Sequence, residues 1–184
     1  MMKGIDRFWL FTWTTYGSWL PGDDRGSVTR VIQPEQSHRG ENDHFETPPT
    51  AAIPALADLA RSRLRCPPIR LTKPQAELLI TQFQETCDFR RWFFGAAAIM
   101  ANHIHVLLGV TGDPDPDHIL RDLKSYGSRA LNRNGNRPAS GTWWTQSGSK
   151  RKKPDETAVR NWIAYIRDQE FPLLMWVNPE VSKW

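Results

Sequence analysis

RWFFGAAAIMANHIHVLLGV, Arg91 to Val110, is the stretch on which the fold turns. It holds two apolar, strand-like runs, RWFFGAAAIM and HIHVLLGV, joined at Ala101-Asn102. Runs this continuously apolar suit strands covered on both faces, so the pair predicts a hairpin in the middle of a sheet. Successive side chains of a strand point to opposite faces, so His103 and His105 share one face and Ile104 takes the other. Two neutral imidazoles placed this way can coordinate one divalent ion, with positions left for water, a phosphate oxygen and a third protein ligand. Each histidine can equally be an ordinary, separately satisfied sheet residue. The pair acquires meaning only with a partner elsewhere in the chain.

Upstream, RFWLFTWTTY (Arg7 to Tyr16) is rich in aromatic and β-branched residues and runs into the turn-prone GSWLPGDDRG, which predicts a first strand. Residues 25–74 are polar and Pro-rich without usable periodicity and read as an insertion or long loop, with a short helix around ALADLARSRL. KPQAELLITQFQETCDF then places Ala76, Leu79, Ile80 and Phe83 at helical spacing behind a proline suited to a first turn. Downstream, DPDPDHILRDLKSYGSRALNR predicts a second helix with Ile119, Leu123, Tyr126 and Ala130 on its buried stripe. GTWWTQSGSK offers a fourth short strand, and KPDETAVRNWIAYIRDQEF a last helix, acidic in its first turn and closed by Pro172. This order suits an α+β fold: a ferredoxin-like (RRM-like) four-stranded antiparallel sheet, helices on one face, plus an extra C-terminal helix. The expectation is a single domain over residues 1–184, interrupted by the 25–74 insertion.

A chain of 184 residues, 39% hydrophobic, is long enough for one sizeable core. No apolar segment approaches the roughly 18 residues a membrane span needs, and the N-terminus shows no signal-peptide pattern, so the cytoplasm is the expected location. Cys66 and Cys87 form neither a CxxC nor a disulfide framework, which suits a reducing compartment. The net charge of +4 and a pI near 9.3 are compatible with a nucleic-acid partner.

The last helix supplies the partner for the histidines. Asn161, Tyr165 and Gln169, spaced by four, form a stripe beside the apolar Val159, Trp162 and Ile166. Tyr165 is the candidate nucleophile and Gln169 the candidate third metal ligand, with Asp168 one position away as an alternative. A phenol, with an ordinary pKa of about 10, attacks poorly near neutral pH. A divalent ion on a nonbridging oxygen makes phosphorus more electrophilic, and a covalent phosphotyrosine divides strand transfer into two reversible steps. Of the other tyrosines, Tyr126 falls on an apolar helix stripe and Tyr16 ends the first strand beside a turn; neither has a potential ligand one turn on.

NHIHVLL followed by YIRDQ resembles the histidine-hydrophobic-histidine transposases with a single catalytic tyrosine, in particular the REP-associated tyrosine transposases of the IS200-like superfamily. FTWTTYGSWLPGDDRG and WWTQSGSKR also resemble segments of such proteins. The resemblance implies that His103, His105 and Gln169 hold Mg²⁺ or Mn²⁺ and that the catalytic Tyr165 attacks a scissile phosphate. It implies a 5′-phosphotyrosine and a released 3′-hydroxyl, so that the protein cleaves and rejoins single-stranded DNA beside hairpins or repeats. Both monomer and homodimer occur among the proteins it resembles.

Candidate DNA contacts are Arg121, Lys124, Arg129 and Arg133 on the second helix and the run Lys150, Arg151, Lys152 and Lys153, which can neutralise phosphates. Trp13 and Trp19, with Trp143 and Trp144, are candidate platforms for unpaired bases. Two rival readings remain at this stage. One is a domesticated module that holds single-stranded nucleic acid without cleaving it. The other is a metal-dependent hydrolase in which water attacks and Tyr165 is incidental.

Overall fold

Trp9, Phe11 and Trp13 alternate along the first strand with Phe8, Leu10 and Thr12, so one strand serves two different surfaces. The computed structural model describes residues 4–23, 53–135, 137–153 and 156–181. In chain order the elements are β1 (Arg7–Thr14), α1 (Pro54–Ser62), α2 (Lys73–Arg90), β2 (Phe93–Ile99), β3 (His103–Val110), α3 (Pro116–Arg133), β4 (Ser149–Lys153), α4 (Glu156–Arg167) and β5 (Leu174–Val177). They build one sheet in the order β4-β1-β3-β2-β5, antiparallel throughout. With α2 and α3 as crossovers, the first four strands have the ferredoxin-like arrangement, and the fold is α+β.

Two expectations about the strands are corrected. The sheet has five strands, because Leu174–Val177 pairs with β2 beyond the end of α4. Four residues at a sheet edge give too short a pattern to stand out in sequence. The fourth strand also lies later than GTWWTQSGSK suggests: β4 starts at Ser149, and the segment before it pairs with the chain beyond β1 as the isolated bridge Thr15–Trp144 rather than as a strand. Trp143 and Trp144 are buried there, which is why the segment looks strand-like.

The two faces of the sheet carry separate cores. Trp9, Phe11, Trp13, Ile104, Val106 and Leu108 pack with Leu79, Phe83, Ile119 and Leu123 under α2 and α3. Phe8, Leu10, Ala96, Ala98 and Leu107 pack with Val159, Ile163 and Ile166 of α4 on the other side. The stripe of α4 thus runs through Ile163, while Trp162 is only partly buried against it. Helix α2 opens with a capping box, Thr72 with Gln75, and Pro74 in its first turn. The helices α2 and α3 approach closely at Gly127, where an added Cβ would lie 3.0 Å from Leu79 and 3.3 Å from Phe83.

Of the segment 25–74, residues 25–52 lie outside the described residues. The remainder is more ordered than a loop. It contains α1, and the chain then returns to the end of the sheet, where Ile69 donates to the Tyr16 carbonyl (2.9 Å) and Leu71 to that of Ala101 (2.7 Å). Leu71 joins the larger core. The Tyr16 hydroxyl accepts from the Arg65 backbone at 2.9 Å, a structural use of that tyrosine. Cys66 and Cys87 are both free thiols. Among the described residues no helix is long and apolar enough to cross a membrane.

Candidate active site

Register places the histidines. Thr12 pairs with His105 and Thr14 with His103 across β1 and β3, so these four residues share the face covered by α4. The imidazole rings of His103 and His105 stand at 83° with centroids 4.9 Å apart. Each ring is held through Nδ1: His103 by Asn102 Oδ1 and His105 by Thr12 Oγ1, both at 2.8 Å. An amide oxygen only accepts, so Nδ1 of His103 carries a proton directed at Asn102. A threonine hydroxyl accepts as readily as it donates, and in the accepting role it leaves His105 with the same tautomer.

His105 is almost completely buried, and its Nε2 is a buried polar atom without a hydrogen-bond partner among the described residues. Such an atom is costly unless something occupies it. Burial first, then the charges of His103 and Arg151, push the His105 pKa from 6.5 down to about 3. The ring is therefore neutral at physiological pH, the state in which imidazole ligates a metal. An oriented histidine pair in which His105 is neutral and its Nε2 has no partner among the described residues fits a divalent ion. Among the described residues no third His, Cys, Asp or Glu joins them in a group of three.

Helix α4 brings Tyr165 to this pair. The tyrosine ring meets the His105 ring edge-on, centroids 5.4 Å apart and planes at 81°. Trp162 packs on the tyrosine in turn, at 4.8 Å and 76°. Tyr165 itself is 42% exposed, so the nucleophile candidate lies at the boundary between core and solvent. Gln169 does not lie on the helix, as its spacing suggested, because α4 ends at Arg167. Its Nε2 donates back to the Tyr165 carbonyl at 3.0 Å, satisfying one of the last carbonyls of the helix and leaving Oε1 as the acceptor. Asp168 is exposed at the turn between them.

The predicted DNA-contacting residues divide. Trp13 is corrected: it is 1% exposed, wedged edge-on against Phe83 and Trp144, and has no face for a base. Trp143 and Trp144 are buried likewise, and the Trp144 indole donates to the Lys124 carbonyl. Trp19 is partly exposed and lines a cavity of about 650 Å³ with Tyr16, Leu64 and Ser125. Lys124 is also corrected, since its ammonium donates to the carbonyls of Thr145 (2.6 Å), Gln146 (3.2 Å) and Ser147 (3.1 Å) and has no donor left for a phosphate. Arg121, Arg129 and Arg133 are exposed on α3, which packs on the sheet face away from the histidines. Arg129 lies over the half-buried Tyr126, and Arg133 donates to Gln82 Oε1. Lys150 is paired with Asp117 at 2.6 Å, Lys152 is exposed, and the Lys153 side chain lies outside the described residues.

Thr12 and Asn102 carry no signal in the sequence that marks them as supports. Thr12 needs the β1–β3 register to be found, whereas Asn102, an acceptor directly before the first histidine, stands within the NHIH motif itself.

The chain matches the family model described as Transposase IS200 like over residues 69–169. That stretch covers more than half of the chain and includes both histidines, Tyr165 and Gln169: the chain belongs to the IS200-like transposase family. No curated protein matches the sequence. Among solved structures, it is similar to a REP-associated tyrosine transposase bound to a REP hairpin, with TM-score 0.47 and 12% identity, over 88% of this chain. This chain spans 65% of the length of that one. It is also similar to the crystal structure of a protein from Deinococcus radiodurans R1 described as a "putative transposase", with TM-score 0.43 and 15% identity, over 92% of this chain and 98% of the other.

Proposed function

We propose that this protein is a metal-dependent single-stranded DNA endonuclease and strand transferase that works through a 5′-phosphotyrosine on Tyr165. The observation that supports this most is the edge-on contact of the Tyr165 ring with His105, whose buried Nε2 has no hydrogen-bond partner among the described residues. The reading takes residues 1–184 as one catalytic domain. Single-stranded or hairpin DNA is the proposed substrate.

In this reading His103 and His105 hold Mg²⁺ or Mn²⁺ through Nε2, with Gln169 Oε1 as the third protein donor. The ion, when bound, withdraws charge from a nonbridging phosphate oxygen and so favours attack at phosphorus. Thr12 and Asn102 fix the imidazole orientations through Nδ1. Trp162 limits the rotation of the Tyr165 ring, so that the phenol is held beside the histidines rather than free in solvent. The Oη–P bond forms as the P–O3′ bond breaks; the phenol proton leaves to solvent and the released 3′-oxygen gains one.

The test is a denaturing gel of purified protein mixed with labelled single-stranded DNA tiling the flanks of its own gene, with Mg²⁺ or Mn²⁺. A labelled adduct that requires metal and disappears in Tyr165→Phe supports the proposal. Cleavage without an adduct favours attack by water, and binding without cleavage favours a module that only holds DNA.

A further inference from the structure

The basic run Lys150 to Lys153 is a strand, and the alternation of its side chains sorts it into two groups. Lys150 pairs with Phe11 and Lys152 with Trp9, residues of the core under α2 and α3. Lys150 accordingly reaches Asp117 on α3. Arg151 pairs with Leu10, a residue of the opposite core, and so emerges on the face that holds the histidines and α4. Its guanidinium carbon lies 6.0 Å from the centre of the Trp162 ring. Trp162 packs on Tyr165, and Tyr165 on His105. Arg151 therefore ends a continuous row of planar groups that starts at the buried histidine.

We propose that Arg151 is the fixed cation of the active site: its guanidinium pairs with a nonbridging oxygen of the same phosphate that Tyr165 attacks. This rests on the tyrosine-transfer reading above and assigns one residue of the basic run a separate task. Guanidinium suits it on three counts. It stays protonated throughout, so it enters no proton transfer; its fork of N–H donors suits phosphate oxygens; and its carbon lies within cation–π reach of the Trp162 ring, 6.0 Å from the ring centre. Arg151 binds a nonbridging oxygen and stabilises the charge that gathers on it as the Oη–P bond forms and the P–O3′ bond breaks. Lys150 and Lys152, facing the other way, serve the electrostatic attraction of the strand at most.

The experiment starts from whichever flanking oligonucleotide gives the metal-dependent adduct with the wild-type protein. The scissile phosphate, once mapped, is replaced by a methylphosphonate, which removes the negative oxygen and nothing else of comparable size. With the ordinary phosphodiester, Arg151→Ala should slow adduct formation by about 100-fold and Arg151→Lys by less. With the methylphosphonate, the difference between wild type and Arg151→Ala should shrink to within about threefold, because the partner of the guanidinium is gone. If Arg151→Ala is equally damaging with both substrates while Arg151→Lys retains the wild-type melting temperature, the residue is structural and the proposal is wrong. An unchanged rate in Arg151→Ala overturns it too. A wild-type protein that forms no adduct on any oligonucleotide removes the tyrosine-transfer reading, and this proposal with it.

Discussion

Thr12 Oγ1 and His105 Nδ1 lie 2.8 Å apart across the paired strands β1 and β3. The contact joins a residue with no chemistry of its own to the more deeply buried of the two histidines, and it decides which imidazole nitrogen faces the tyrosine side. Thr12→Val keeps the shape and removes the oxygen. It should lower Mn²⁺ affinity by about 10- to 100-fold, the usual consequence of removing a support behind a ligating histidine. Titration of the variant with Mn²⁺, followed by electron paramagnetic resonance, checks this; an unchanged affinity would show that the hydroxyl does not set the tautomer.

Trp13 was a candidate base platform and is a core residue. Its truncation to alanine should cost about 3–5 kcal/mol of stability, because a buried aromatic leaves a cavity that neighbours fill only in part. Urea denaturation measures the loss. A variant that stays as stable as wild type but binds single-stranded DNA weakly would restore the role the burial argues against.

Lys124 supplies a pH dependence. Burial, followed by the charge of Lys150, lowers its pKa from 10.5 to about 8. The unfolded chain then holds the proton through a pH range where the folded protein has released it. The unfolded state binds more protons between the two pKa values, so stability rises with pH across that window and the penalty is present in full below about pH 8. Urea midpoints of wild type and Lys124→Met, compared at about pH 7.5 and about pH 9.5, should show the wild type gaining on the variant at the higher pH. A constant difference between them would mean that the three carbonyls around the ammonium keep it charged throughout.

Gly148 precedes β4, and a Cβ there would lie 2.9 Å from the Thr12 carbonyl and 3.1 Å from the Trp13 Cβ. The first of these is backbone and cannot rotate away. Gly148→Ala should destabilise the protein by about 1–3 kcal/mol, as overpacking does, and should loosen β4 from β1. Hydrogen exchange of the β4 amides reports the loosening; amides as protected as in wild type would refute it.

The sequence was most legible where one pattern answered one question. Alternation in HIHVLLGV put both histidines on a single face, and the β1–β3 register agrees. The helical stripes of α2 and α3 were readable because Leu79, Phe83, Ile119 and Leu123 recur at helical spacing. Tyr126 was misplaced among them: the half-buried ring sits beneath Arg129, while Gly127 takes the closest approach to α2. Burial of large aromatics was not legible, since Trp13 and Trp19 look alike in sequence and only packing separates them. Gln169 shows a further limit. Its spacing from Tyr165 is helical, yet α4 stops two residues earlier and the side chain caps the helix end. The position of a helix terminus depends on what the last carbonyls find, which spacing does not encode. The separation of Arg151 from its basic neighbours needed the pairing partner of each residue on β1.

The alternation of β3 gives the protein an internal check on errors of length. A slip of one residue in the pairing of HIHVLLGV would exchange the two faces, sending Ile104, Val106 and Leu108 toward α4 and both histidines under α2 and α3. The same slip that erased the chemistry would bury two imidazoles in the larger core and cost the fold. An insertion or deletion that shifts the register of this strand therefore removes fold and chemistry together. By contrast Gly112 and Gly141, each with open space where a side chain would lie, mark connections at which the chain can change length without disturbing that agreement.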